Sequence, residues 1–397
     1  MGMNGGGGGF VPGRSGGGPP PSPNDVLVGK RLFVSTEGHP GGLYQDLSYH
    51  FNSVDAAIAA LTGNDDVIEV YSSNAWTITT TVLPAGITQL NIHVPDYFTR
   101  ILWSDSIPLL SVLNISGNGH IVINNLQPNL AYCNIQCGFL QGYSLFYNNG
   151  EYDINCSGLC FVGMGLSAIH PKINIIANKM ESSVVLNKPQ DGFRVNILCN
   201  DFKGIFVFTD SENNDWQFNM KCNNIHYENL SNPTLSLFKT NVGDFLSRVK
   251  IEGNIYYTGD TPMVDCEGTT SFGFRDCTFT QTFISENTIP VFNFRTFGNT
   301  KKYLYLKNCD IKSNNSRLDN GIIYLNNQAD EVVPVIIETN VSSDIPTPYI
   351  IVAANITNYL GIGGTADENI FDDWISPNIT NIAGLPGMQL VSVFPNL

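Results

Sequence analysis

From the middle of the chain onward one short pattern of apolar and polar positions keeps returning. It reads Lys172-Ile-Asn-Ile-Ile-Ala-Asn178, Arg194-Val-Asn-Ile-Leu-Cys-Asn200 and Gln217-Phe-Asn-Met-Lys-Cys-Asn223. Later copies are Arg248-Val-Lys-Ile-Glu-Gly-Asn254, Tyr303-Leu-Tyr-Leu-Lys-Asn-Cys309 and Pro334-Val-Ile-Ile-Glu-Thr-Asn340. Each copy carries two apolar residues two apart, then a small or polar residue, then usually Asn. A further apolar residue follows at Met180, Phe202, Ile225, Ile255, Ile311 or Val341. A period of two places alternate side chains on one face, so each copy predicts a half-buried strand. Asn directly after a strand predicts a sharp turn through left-handed backbone, which Asn tolerates.

The first apolar positions fall at Ile173, Val195, Phe218, Val249, Phe272, Leu304 and Val335, with gaps of roughly 22 or roughly 31 residues. Weaker copies extend the series upstream at Cys133/Ile135 and Tyr152/Ile154, and downstream at Ile350/Val352. Two or three short strands with their turns fill the shorter gap, and a loop fills the longer one. This spacing predicts a parallel β-helix, in which each coil stacks on the previous one and buries its inward side chains in a continuous column. A β-sandwich gives no reason for Asn to recur after the same strand.

The flanks read differently. Residues 1–29 are Gly- and Pro-rich and cannot build a core, which predicts a flexible arm that orders against a partner. Within it Gly5, Gly6, Gly7, Phe10, Val11, Pro12 and Arg14 are the expected anchoring residues. Residues 30–66 read as an N-terminal cap: a strand at Arg31–Val34, a Gly-rich loop, and a short helix over Ser53–Leu61 with Ser53 as N-cap. Residues 67–364 read as the β-helix, with further strands at Leu90–Val94 and His120–Ile123. Residues 365–397, with Trp374, Pro377, Pro386 and Pro395, read as a closing or subunit-contact segment.

Composition narrows the function classes. The chain has 397 residues, 42% hydrophobic and 14% charged, with a net charge of -15. That charge argues against a nucleic-acid partner, because duplex binding rests on neutralising phosphates. No apolar run reaches the roughly 18 residues of a spanning helix, so no membrane insertion is expected. No secretory leader is recognisable. The start Met1-Gly2 lacks the Ser or Thr that a myristoylation site needs, since position 6 is Gly6. The Asn-x-Ser/Thr triplets at Asn114, Asn229 and Asn355 read as by-products of composition. Nine cysteines invite a metal reading, and Cys133/Cys137 and Cys156/Cys160 look like ligand pairs. Neither has a second pair at zinc-site distance, so no metal and no cofactor are expected. Cys199, Cys222, Cys277 and Cys309 occupy the same or an adjacent repeat position, which predicts a column of small buried thiols in a reducing compartment.

The segment Leu32-Phe-Val-Ser35, a Gly-rich loop, Phe51-Asn-Ser-Val-Asp-Ala-Ala-Ile-Ala59 and Asp66-Val-Ile-Glu-Val70 resembles the start of pectate-lyase-like β-helices of phage tailspikes and other virion appendages. The match covers about 40 residues, and the coil pattern extends it over some 300. The resemblance implies an all-β fold: a right-handed single-stranded parallel β-helix (solenoid) with a short N-terminal capping helix and a Gly/Pro-rich arm. It also implies a homotrimer on the virion surface, assembled in the host cytoplasm. Where such proteins carry a folded head-binding domain, this chain has only the arm, which fits attachment to capsid, collar or tail.

Chemistry is harder to place. Carboxylates bunch at Asp201, Asp210, Glu212 and Asp215, and again at Asp260, Asp265, Glu267 and Asp276, with Lys203, Arg248 and Arg275 nearby. By repeat alignment Asp201 shares a position with Asn224, and Thr278 with Asp310, so no column holds three acids on consecutive coils. A glycosidase needs two carboxylates about 5–10 Å apart. Asp210 and Glu212 with Asp244 are the weak catalytic candidates. The six histidines, at 39, 50, 93, 120, 170 and 226, are single and unpaired in motif. Aromatics at Tyr143, Phe146, Tyr147, Phe206, Phe208, Trp216, Tyr256 and Tyr257 offer stacking faces, and Trp216, Tyr256 and Tyr257 are the candidate glycan contacts. The expected function is a non-catalytic bacteriophage fibre or spike appendage, held to the particle by residues 1–29 and touching host surface polysaccharide. The alternative is a polysaccharide-depolymerising tailspike enzyme, a lyase or glycoside hydrolase. A cellular adhesin fits less well without an export signal.

Overall fold

The computed structural model describes residues 29–35, 49–71, 75–80, 82–106, 110–125, 131–142, 151–166, 172–187, 192–209, 216–228, 235–240, 248–267, 271–284, 289–296, 302–314, 323–327, 332–337, 340–343, 351–354 and 390–392. The expected anchoring residues of the arm, the catalytic candidates Asp210, Glu212 and Asp244, and Tyr143, Phe146, Tyr147 and Trp374 lie outside them.

The described strands form one sheet, paired parallel and stacked coil on coil, so the fold is an all-β parallel β-solenoid. Three ladders run along it. The first joins Arg31–Val34, Val67–Val70, Gln89–Val94 and Val112–Gly117 to the leading parts of the long strands from Tyr132–Gly142 to Arg248–Thr258. It continues through Ser271–Arg275, Lys302–Lys307 and Val332–Ile337. The second joins Ala75–Ile78, Arg100–Ser106 and His120–Asn125 to the trailing parts of those strands, then Thr278–Thr282, Asp310–Ser313 and Asn340–Ser343. The third runs from the ends of Glu151–Leu166 and Lys172–Asn187 through Phe206–Thr209, Phe238–Thr240, Val264–Glu267, Phe292–Thr296, Ile323–Asn327 and Ile351–Ala354 to Leu390–Ser392.

The repeat maps onto this geometry directly. Val195, Phe218, Val249, Phe272 and Leu304 are in register on the first ladder and fully buried. Phe202, Ile225, Ile255, Phe279 and Ile311 form the matching column of the second. Phe206, Phe238, Val264 and Phe292 form that of the third. The columns meet inside as an aromatic stack. Phe206 lies face to face with Phe202 at 4.5 Å and with Phe238 at 4.9 Å, and Phe279 meets Phe274 and Phe292 edge-on at 5.0 Å each. Offset and edge-on ring pairs add to what area burial alone contributes.

The outward positions are also organised. Asn91, Asn114, Asn134, Asp153, Asn174, Asn196 and Asn219 occupy one register position on the first ladder. The Asn196 amide donates to Asn174 Oδ1 at 2.9 Å, Asn219 donates to Asn196 at 2.9 Å, and Asn174 donates to Asp153 at 2.8 Å. A second ladder of amides runs along the next corner, where Asn200 donates to Asn178 at 2.7 Å and Asn223 to Asn200 at 3.1 Å. These corner asparagines were expected to supply left-handed backbone, and they do not. Among the described non-glycine residues only Asp276 and Asn308 have positive φ, 54° and 51°. The amide earns its place at the other corners by bonding to the coil below. Where the corner in Arg248–Thr258 is one residue shorter, Gly253 adopts φ 137°, and a Cβ there would stand 1.6 Å from the Cys222 carbonyl oxygen. Only Gly fits such a corner.

Two repeat alignments need correction. Leu304 pairs with Pro334, not Val335, so the last copy sits one residue out of the expected register. Ile350/Val352 does not continue the first ladder, because Ile351–Ala354 pairs with Ile323–Asn327 on the third. In both places alternating apolar residues fit either frame, and the pairing of neighbouring coils decides between them.

At the front, Arg31–Val34 pairs in register with Val67–Val70 and so belongs to the ladder itself. The helix is shorter than expected, Val54–Ala59; Ser53 caps it by accepting from the Ala56 N–H at 3.1 Å, and Val54, Ala57 and Ile58 are buried. Two carboxylates tie this end together. Asp66 accepts from the backbone N–H groups of Lys30, Thr62 and Gly63 at 2.9, 2.7 and 3.0 Å. Asp55 accepts from the N–H groups of Thr79 and Thr80 and from both hydroxyls.

Two predictions follow from these contacts. Burial alone would raise both carboxyl pKa values, yet the hydrogen bonds outweigh it and hold them below the ordinary 3.8. Burial, aided at His120 by the Arg100 charge, lowers His93 and His120 below 6.5. In each case the unfolded chain takes up protons first on acidification, so stability is lost as pH falls. Hydrogen exchange across residues 29–125 should show protection falling as pH drops below about 6.5 and again below about 3.8, with the lower phase reduced in Asp66→Asn. Separately, Phe206→Ala should cost about 3–5 kcal/mol and Asn196→Ala about 1–2 kcal/mol, read by urea unfolding. Equal costs would refute the assignment of core and outer brace.

Candidate functional site

A groove of about 580 Å³ runs along the corner between the first and second ladders. Its floor is the thiol column. Cys137 and Cys156 are in register, followed by Ala177, Cys199 and Cys222, and all are buried. One wall carries the outward residues Gln136, Asn155, Ile176 and Leu198, which are successive partners on adjacent coils. The other carries Asn118, Ser157, Asn178 and Asn200. The groove exists because small residues at the corner let the backbone turn inward while the flanking outward side chains stand up on both sides. Its size lies within the range of small-ligand sites.

The lining holds no acid, no base and no histidine. Proton transfer or nucleophilic attack by an ionised side chain has no donor there. The floor thiols are held protonated: burial pushes Cys156 up to about 12 and Cys137 still further. At Cys199 the hydrogen bond to Cys222, with Sγ–Sγ 3.0 Å, adds to burial in the same direction. Thiols so placed are poor nucleophiles. The thiol column expected from Cys199 and Cys222 is present, and Cys137 and Cys156 belong to it. Cys277 and Cys309 are buried beside it, after the left-handed residues Asp276 and Asn308. Among the described residues no group of three His, Cys, Asp or Glu side chains is placed to hold a metal ion.

At its downstream end the wall column passes from Leu198 to Lys221 and Glu252, and Arg275, just past the Ile251–Phe274 pair, reaches Glu252 from the next coil. Glu252 is buried and bridged, by Arg275 on one oxygen and by Lys221 at 3.0 Å on the other. Arg275 also reaches Asp276 at 3.7 Å, and Asn308 donates to Asp276 at 2.7 Å. This is an ionic brace across successive coils, with its carboxylates occupied by cations and amides.

The acids grouped by sequence separate in space. Asp201 is on the second ladder, 3.8 Å from His226; Asp265 and Glu267 are on the third; Asp276 lies in the bend between Ser271–Arg275 and Thr278–Thr282. Asp265 accepts from Asn293 at 2.7 Å and Asp260 from the Ile284 N–H at 2.8 Å. The candidate glycan contacts separate too. Trp216 is buried and stacked on Phe208 at 5.6 Å, and Tyr257 is buried with its hydroxyl donating to the Leu235 carbonyl at 2.9 Å. Of the three, Tyr256 alone presents its ring, 42% exposed.

Sequence reasoning missed the groove and the aromatic pair above it. Tyr97 and Phe98 follow Pro95-Asp96 in a turn closed by the Thr99 N–H donating to the Asp96 carbonyl. They are 62% and 75% exposed and pack edge to face at 5.8 Å. The signal was present, because Pro95-Asp96 marks a turn that takes the two rings after it off the strand.

Comparison with known proteins gives no match to a family model, to a curated protein or to a solved structure. The parallel β-solenoid stands on the geometry alone.

The thiol environment makes a prediction. In the folded protein, a maleimide or iodoacetamide should leave Cys137, Cys156, Cys199 and Cys222 unmodified at neutral pH, and unfolding in urea should expose all four. Rapid labelling of the native chain, read by peptide mass spectrometry, would contradict the buried floor.

Proposed function

We propose that the chain is a virion structural protein, a bacteriophage fibre- or spike-type appendage of the pectate-lyase-like kind, attached through residues 1–29 to capsid, collar or tail. The helix Val54–Ala59 caps the front of the solenoid, and three copies stand together on the particle surface after assembly in the host cytoplasm. The shaft contacts host glycans and performs no catalysis.

One observation carries the reading: the outward columns are spent on bracing the rod. Amides zip coil to coil from Asp153 to Asn219, and Lys172 pairs with Glu151 at 2.7 Å beside them. Downstream, the Lys221–Glu252–Arg275 brace takes over. A surface organised in this way suits a stiff spacer. A glycoside hydrolase needs two carboxylates facing one groove, whereas the described acids are distributed over three ladders or tied to cations and amides.

Purified particles supply the test. Mass spectrometry of whole and arm-proteolysed virions, with native mass determination of the released species, should find the chain as a trimer that is lost from particles once residues 1–29 are cut. Absence from particles, or release as a monomer, would refute the proposal.

A further inference from the structure

We infer that the corner groove, together with Tyr97 and Phe98, is a binding site for a neutral, hydroxyl-rich glycan chain lying along the solenoid axis. The inference names a site and ligand class for the glycan contact proposed above and rests on that part of the reading.

Three independent features converge. The first is charge. The chain has 35 acidic residues and a net charge of -15, yet the groove lining has no ionisable carboxylate, ammonium, guanidinium or imidazole. A cationic ligand would find no counter-charge there, and neither would a polyanion. A neutral ligand avoids leaving a buried charge unpaired.

The second is hydrogen-bonding capacity. A side-chain amide has two N–H donors and two acceptor lone pairs. The corner ladder uses one N–H and one lone pair of Asn200, through Asn178 and Asn223, and leaves one of each. Gln136 and Asn155 stand exposed on the opposite wall. Sugar hydroxyls both donate and accept, so they match a wall of amides in a way that an apolar peptide does not. The coils place one amide or one aliphatic side chain every 4.8 Å or so. That is comparable to the advance of one pyranose unit along an extended glycan.

The third is apolar surface in an unusual place. Ile176, within the groove, is 41% exposed, and Tyr97 and Phe98 are more exposed still. Tyr97 lies at the upstream end of the groove. A Cβ built on Gly138, next to the floor residue Cys137, would stand 3.1 Å from the Tyr97 ring and 2.2 Å from the Asn118 carbonyl oxygen. Gly138 thus lets the ring lie close over the corner. Aromatic rings stack on the C–H faces of sugars while amides take the hydroxyls, a division of labour common in ligand sites. Downstream the Lys221–Glu252 pair marks the end of the uncharged stretch.

The experiment is calorimetric titration of the purified full chain with cellohexaose, maltohexaose and chitohexaose, and with hexagalacturonate as the acidic control. At least one neutral hexamer should bind, with an affinity insensitive to salt, and at least about tenfold more tightly than hexagalacturonate. Tyr97→Ala/Phe98→Ala should weaken it about tenfold or more, and Asn155→Leu and Ile176→Glu should weaken it independently. All four positions are exposed, and unchanged thermal unfolding of the variants confirms the fold. Binding by none of the neutral hexamers, preference for hexagalacturonate, or indifference to both the aromatic and the groove variants would overturn the inference. Because isolated protein is used, that failure leaves attachment to the particle untouched, and failure of the particle experiment leaves this site standing.

Discussion

Everything in this molecule depends on the parallel backbone ladder between coils. A strand in a solenoid satisfies its N–H and C=O groups only through the coils above and below, and an unpaired buried backbone group is costly. Slipping one residue would turn every inward side chain outward. Each coil is therefore bound to repeat the alternation of its neighbours, and the columns of Phe, Ile and Val are the visible consequence. The aromatic stack from Phe202 through Phe206 and Phe238 to Phe292 fills an interior that no single coil could bury alone.

The corners are where coils are allowed to differ, within narrow limits. Three solutions serve neighbouring turns: an amide bonded to the coil below at Asn200 and Asn223, a glycine pressed against a carbonyl at Gly253, and left-handed Asp276 and Asn308 followed by a buried thiol. All three keep a small group inside the bend. The same requirement hollows the corner into a groove, so the concavity is a by-product of the turn chemistry. What makes it more than a by-product is its lining: uncharged, amide-rich, partly apolar, and bordered upstream by the exposed Tyr97 ring in a strongly acidic protein.

The function follows the same economy. The charged column from Lys221 to Arg275 is paired, and the columns from Asp153 to Asn219 and from Asn178 to Asn223 are zipped, which ties up much of the described outer face. Binding through neutral contacts is compatible with such a rod, because it borrows the capacity that the ladder amides have left over.

The alternation of Val195/Ile197, Phe218/Met220 and their kin, at spacings of 22 to 32 residues, determined by itself that the chain is a parallel solenoid and which residues of the repeat face its core. Period-two burial is a local property and repeats are visible without coordinates. The buried thiols were legible for the same reason. Register at Pro334 and the placement of Ile351 were not, since both frames alternate and only the partner strand chooses. Nor was the fate of Trp216 and Tyr257, aromatic residues whose side of the sheet is set by a ladder tens of residues away. The groove lay beyond reach altogether: Gln136, Asn155, Ile176 and Leu198 are about twenty residues apart in sequence and adjacent only because coils stack at about 4.8 Å. Local periodicity wrote the fold into the chain; the meeting of distant residues, which only stacking enforces, made the site.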